Sequence, residues 1–163
     1  MRMKRLILLF GAFAGAFASC TQENFDKMIH RTVKPKVDYI HPDTLTTVTD
    51  YLFLDAREPK EFEVSHLEGA KSIGYDKLDF SALEGTSQDQ PIVVYCSIGY
   101  RSNEVAAKLV EKGYSNVYNM YGGIFYWINH DKPLVDRQGI TEKVHGYNRL
   151  WSKWVKKGEV ILK

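Results

Sequence analysis

The residues of this chain best suited to covalent chemistry lie in one run, Cys96-Ser97-Ile98-Gly99-Tyr100-Arg101-Ser102. A cysteine becomes a nucleophile when its sulfur is held as the thiolate, which calls for backbone N–H donors, a helix N-terminus or a cation nearby. Gly99 lets the run curl into a loop that points several amides inward, and Arg101 closes it with positive charge. The competing reading of Cys96 is a small buried hydrophobe at the end of a strand. Gly99 and Arg101 weigh against it.

The segments on either side fix where that loop must sit. Pro91-Ile92-Val93-Val94-Tyr95 is an apolar, β-branched run, the pattern of a strand buried on both faces of a parallel sheet. After the loop, Val105, Ala106, Leu109 and Val110 share one face of a 3.6-period helix, with Glu104, Lys108, Glu111 and Lys112 outside and Gly113 as its stop. The rest of the chain alternates in the same way. Strands are expected at residues 37–40, 51–54, 71–73 and 116–120. Helices are expected from Pro42, over 59–65, over 76–83 and from Gly122-Gly123 to about Trp127, with an exposed loop over 84–90. This alternation predicts an α/β fold, a five-stranded parallel sheet flanked by helices. Ligands of such sheets bind at the carboxyl ends of the strands, the edge that carries Cys96, Asp55 and Gly122.

Composition narrows the setting. Met1-Arg2-Met3-Lys4-Arg5 is basic and Leu6 to Ala18 is apolar and rich in small residues, too short to span a bilayer as a settled helix, so residues 1–19 read as a secretory signal. Phe17-Ala18-Ser19-Cys20 resembles a bacterial lipobox, although that pattern prefers Leu where Phe17 stands. It predicts acylation of Cys20 and a lipid-anchored protein on the periplasmic side of a membrane. Ordinary cleavage after Ala18 would instead release a soluble periplasmic protein. Removing residues 1–19 leaves 144 residues with 19 Lys and Arg against 20 Asp and Glu, so nothing in the charge points to nucleic acid. With Cys20 lipidated, Cys96 is a lone thiol in a compartment where cysteines ordinarily pair, which suggests reactivity. No His/Cys/Asp spacing for a metal site and no glycine-rich nucleotide loop is present, so no metal or cofactor is expected.

The ends are harder to read. Residues 20–36 show no sustained period beyond possible helical turns around Phe25 to Ile29, and are expected to be a lipidated terminus and spacer. The compact domain is expected over 37–134 and a C-terminal extension over 135–163. In that extension Tyr147, Leu150, Trp151, Trp154 and Val155 fall at helical spacings, which predicts an amphipathic helix. Its options are docking on the domain, a partner or a lipid surface, and two exposed tryptophans would be unusual enough to favour docking.

Three motifs together resemble a single-domain rhodanese over about residues 37–134. They are Asp55-x-Arg57-Glu58-x-x-Glu61-Phe62 with His66-Leu67-x-Gly69-Ala70-x-Ser72-Ile73, then Val93-Val94-Tyr95-Cys96-x-x-Gly99-x-Arg101-Ser102, then Gly113-Tyr114-x-x-Val117-Tyr118 with Gly122-Gly123-x-x-x-Trp127. The resemblance implies sulfane-sulfur transfer through a persulfide on Cys96, from a small anionic donor such as thiosulfate to cyanide or a thiol. Ser97, Ile98, Gly99, Tyr100, Arg101 and Ser102 would form the substrate cradle, their N–H groups stabilising the persulfide anion. Arg101 is the candidate to attract the donor, with a structural ion pair to a nearby carboxylate as its competing role. In this family Asp55 and Arg57 mostly hold loops in place as supporting residues. Glu61 is expected to pair with a basic residue and His66 to order the turn before Gly69.

Loop length separates related chemistries on this fold. Cys-x4-Arg, six residues from Cys96 to Arg101, matches sulfurtransferases, whereas the related phosphatases and arsenate reductases use the wider Cys-x5-Arg. The alternative to an enzyme is a non-enzymatic, membrane-tethered rhodanese-like interaction module. Such inactive members usually lack the loop cysteine, which is present here.

Overall fold

The computed structural model describes residues 11–45 and 50–163, with side chains from Gln22 onward. At its centre is β4 (Ile92–Tyr95), all four residues of which are buried, as the continuous apolar run requires. It pairs in parallel with β2 (Leu52–Asp55) on one side and β5 (Val117–Met120) on the other. β3 (Lys71–Ser72) and β1 (Tyr39–Ile40) complete a five-stranded sheet of order β1-β5-β4-β2-β3. The chain steps one way from β2 to β3 and the other way from β4 to β5. The reversal falls between β2 and β4, where sheets of this kind open a crevice at the carboxyl ends of their strands.

Because successive strand residues face opposite ways, each sheet face has its own core. Ile92 and Val94 join Leu54 and Val117 under α3 (Tyr100–Glu111), whose Val105, Ala106 and Leu109 form the stripe read from the sequence. Val93 and Tyr95 join Phe53 and Met120 on the other face, under α4 (Gly123–Asn129). Two expected helices are shorter than the pattern suggests. Pro42–Thr44 and Phe80–Leu83 are single 3-10 turns, the second begun by Asp79, whose side chain accepts from the Ser81 N–H.

Both ends depart from the sequence reading. The segment expected to be a spacer is the packed end of α1 (Gly11–Thr32). Phe25, Ile29 and, just past the helix, Val33 are buried in the core on the α4 face, and the Tyr121 hydroxyl donates to Asp26 at 2.8 Å. The spacing of Phe25, Met28 and Ile29 is helical, but it is short and diluted by charges, so the sequence alone does not distinguish it from a linker. Residues 1–10, with the basic start of the predicted signal, and the side chain of Cys20 lie outside the described residues.

The expected C-terminal amphipathic helix is absent. After α2 (Pro59–Val64) and the sheet, the chain forms a hairpin of β6 (Leu134–Asp136) and β7 (Gly139–Thr141), then a parallel pair, β8 (Lys143–His145) with β9 (Glu159–Ile161). Tyr147 takes φ +63°, and the Asn148 side chain accepts from the N–H groups of Leu150 and Trp151, so the segment turns where a helix would have to continue. Only Ser152–Trp154 makes a 3-10 turn. The aromatic spacing records docking instead, since Trp151, Trp154 and Val155 pack against the α4-face core.

Candidate active site

The loop that follows β4 is set by one close backbone approach, from the start of α4. Gly123, at φ +57°, lies so near the loop that an added Cβ would stand 2.3 Å from the Cys96 carbonyl oxygen. With no side chain in the way, the Ile124 and Phe125 N–H groups donate to the Cys96 and Ser97 carbonyls at 2.8 and 3.1 Å. The C=O and N–H of a trans peptide point in opposite directions. The N–H groups of Ser97 and Ile98 are therefore turned away from α4.

Gly99 then takes φ +99°, a conformation costly for other residues, and caps α3. Its N–H donates to Cys96 Sγ at 3.2 Å. The Gly99 carbonyl accepts from Asn119 Nδ2 at 2.9 Å. That fixes Asn119 Oδ1 as an acceptor, and it takes the Ser102 hydroxyl at 2.7 Å. The Ser102 proton is thus committed to Asn119, and its oxygen stands 3.5 Å from Sγ as a neighbour. Cys96 therefore sits at the N-terminus of a twelve-residue helix with an amide aimed at its sulfur, conditions that stabilise an anion. Although only 1% exposed, it lines a cavity of about 460 Å³.

Arg101 is gripped rather than free. Its two terminal nitrogens donate to Glu61 at 2.7 and 2.9 Å, one also reaching Ser97 Oγ at 3.1 Å. Glu61, in α2, is itself 1% exposed and also accepts from the Glu58 N–H. Burial pushes the Glu61 carboxyl up, but the Arg101 hydrogen bonds and charge outweigh it and hold it below the usual range. Burial likewise works against the Arg101 charge, which Glu61 first and Cys96 next more than restore.

Asp55 and Arg57 form a second pair beneath the site. Both are fully buried, with Arg57 Nε and Nη2 donating to Asp55 at 2.9 and 2.6 Å and Nη2 also to the Ser65 carbonyl at 2.7 Å. They line no part of the cavity and clamp the β2 end to the chain beyond α2, the helix that carries Glu61. His66 stacks on Phe62 at 3.8 Å, with Nδ1 3.0 Å from the Phe62 carbonyl, so its side chain packs back onto the end of α2. Among the described residues no cluster of His, Cys, Asp and Glu could hold a metal ion.

Sequence reasoning missed three contributors from the C-terminal extension. His145 is buried, 3.8 Å from Glu61 through Nδ1, and that nitrogen accepts from the Tyr147 N–H at 3.1 Å. Burial pushes the His145 ring below its ordinary value, against the pull of Glu61. The Tyr147 ring lies over the Arg101 guanidinium at 4.9 Å, and Trp151 lines the same cavity. No linear motif joins these residues to Cys96. Asn119 left a fainter trace, a lone amide inside the apolar strand β5.

The family described as "Rhodanese-like domain" matches residues 43–130. A "Sulfurtransferase" of Allochromatium vinosum is 32% identical over 95 residues, 58% of this chain and 88% of that protein. A "Thiosulfate sulfurtransferase GlpE" of Pseudomonas fluorescens is 38% identical over 89 residues, 55% of this chain and 80% of that protein. Among solved structures, a rhodanese-related protein from Thermoplasma volcanium superposes with a TM-score of 0.50 at 26% identity, covering 61% of this chain and 98% of the other. A rhodanese-like domain from Anabaena shares the fold at a TM-score of 0.56 and 18% identity, covering 61% of this chain and 80% of the other.

Proposed function

Since the chain belongs to the rhodanese-like domain family, we propose that it is a sulfurtransferase whose sulfur carrier is Cys96. The Cys96 thiolate attacks the outer sulfur of a donor such as thiosulfate. A new S–S bond forms, the donor's S–S bond breaks, and sulfite leaves with the electron pair. The persulfide then gives its outer sulfur to cyanide or a thiolate, and the Cys96 thiolate is the leaving group. The two displacements amount to covalent catalysis with ping-pong kinetics.

In this reading the Gly99 amide and the α3 N-terminus stabilise the sulfur anion, while Ser97, Ile98, Tyr100, Arg101 and Ser102 shape the cradle around it. Asp55 and Arg57 position α2. The observation that carries the reading is Cys96 Sγ receiving the Gly99 N–H at 3.2 Å while the residue lines an open cavity. Mass spectrometry after incubation with excess thiosulfate is expected to show one added sulfur on the wild type and none on Cys96→Ala. A wild type that gains no sulfur from any donor would leave the interaction module as the reading.

The lipobox-like run supports acylation of Cys20 and a location on the periplasmic face of a membrane. The lipid would then join the chain just ahead of the docked part of α1, leaving the domain little slack. Metabolic labelling with a fatty acid is expected to mark the protein and to fail for Cys20→Ala; an unlabelled wild type would mean a soluble exported protein.

A further inference from the structure

The family match ends at residue 130, yet the cavity over Cys96 is finished by residues 145–151. Its wall holds four large rings, those of Tyr75, Tyr100, Tyr147 and Trp151. Tyr147 reaches it from a left-handed backbone, φ +63°, that is strained for an aromatic residue. The His145 ring holds the Tyr147 N–H in that turn, and the phenol covers one face of the Arg101 guanidinium. Half of the Tyr147 surface remains exposed at the mouth.

The charge of the lining is equally specific. Lys60 and Arg101 face three carboxylates, Glu58, Glu61 and Asp76, and Glu61 already neutralises Arg101 with two hydrogen bonds. A small dianion entering this cavity finds Arg101 already paired, Lys60 as the one lining cation without an ion-pair partner among the described residues, and two further carboxylates, Glu58 and Asp76, so the lining as a whole is negative. Coulomb attraction does not favour it. An organic body finds apolar area and π faces in a space far larger than a five-atom anion needs.

We infer that the C-terminal extension makes this site selective for organic sulfane-sulfur compounds, carrying at most one negative charge and an aromatic or aliphatic body, over inorganic dianions, with Tyr147 as the specificity-determining residue. The inference rests on Cys96 being the sulfur carrier. With an organic thiosulfonate, R–SO2–S⁻, the Cys96 thiolate attacks the outer sulfur, a Cys96 persulfide forms, and the sulfinate R–SO2⁻ leaves with the electron pair. The chemistry matches that with thiosulfate, so the two donors differ in charge and body.

The test is kcat/KM for three donors, thiosulfate, methanethiosulfonate and benzenethiosulfonate, on the wild type, Tyr147→Leu and Asp76→Asn. Each donor is normalised to its uncatalysed reaction with a simple thiol. Wild type is expected to prefer benzenethiosulfonate to thiosulfate by at least about tenfold, the scale of a modest pocket contact, with methanethiosulfonate between them. Tyr147→Leu is expected to lose most of the preference for the ring, through KM more than kcat. Asp76→Asn, a change at an exposed rim carboxylate, is expected to raise the thiosulfate value severalfold and the benzenethiosulfonate value by only about the square root of that factor, since the second donor carries one negative charge and the first two. Equal or better use of thiosulfate by the wild type, or a preference that survives Tyr147→Leu, would overturn the inference and leave sulfur transfer standing. Failure of all three donors to sulfurate Cys96 would instead remove the transfer reading beneath it.

Discussion

Glu61 holds Arg101 with both carboxylate oxygens, at 2.7 and 2.9 Å, and does so almost entirely out of water. One residue comes from α2 and the other from the first turn of α3, so this pair ties the helix after β2 to the loop after β4. Removing one member of such a pair leaves the other charge buried without compensation.

Glu61→Gln is therefore expected to lower stability by about 3 kcal/mol, the usual cost of breaking a buried pair from one side. Arg101→Lys is also expected to destabilise, because an ammonium cannot reproduce the two-pronged contact. Urea unfolding monitored by far-UV circular dichroism checks both. A loss under 1 kcal/mol for Glu61→Gln would show that the pair is solvated.

The buried His145 ring makes stability depend on acidity. Its folded-state value is pushed below the ordinary 6.5, so as the pH falls below 6.5 the unfolded chain takes up a proton first and folding loses ground. This loss continues until the pH passes the folded value. Glu61, held below 4.5 in the fold, contributes stability that is intact above 4.5 and is lost as the pH falls further. Chemical denaturation at pH 7.5 and 5.5 is expected to show a smaller drop for His145→Gln than for wild type. Identical drops would place the ring in solvent.

The loop glycines act for different reasons, and alanine separates them. At Gly99 an added Cβ meets nothing closer than 3.5 Å, so Gly99→Ala is expected to cost only the left-handed backbone, about 1–2 kcal/mol. At Gly123 the Cβ would strike the Cys96 carbonyl, so Gly123→Ala is expected to cost more and to displace the sulfur loop. Thermal melts, together with alkylation rates at Cys96, distinguish the two. Equal penalties would contradict the close approach of α4.

The docking of α1 can be tested without touching the site. Phe25→Ala removes a buried ring that lies 6.4 Å from Tyr126 and 6.0 Å from Trp154, and is expected to cost about 3–5 kcal/mol. A spacer would give almost no change. The same urea unfolding experiment decides between them.

The sequence by itself determined the sheet, the helix after the sulfur loop, and Cys96 within it. These rest on local rules: a short β-branched run bounded by turn residues favours a buried strand, a 3.6-period stripe favours a helix, and Gly99 and Gly122-Gly123 mark where the backbone bends. It also anticipated that Glu61 would find a basic partner, without saying which. The identity of that partner, the burial of α1 and the aromatic wall of Tyr147 and Trp151 were decided by tertiary structure alone. Each of those contacts joins residues dozens of positions apart, and no spacing along the chain records such a meeting. The tail shows the reason most plainly, since Tyr147, Trp151 and Trp154 fall at helical intervals yet are held by a parallel strand pair and a left-handed turn. Packing against the core and the cavity overrode the period.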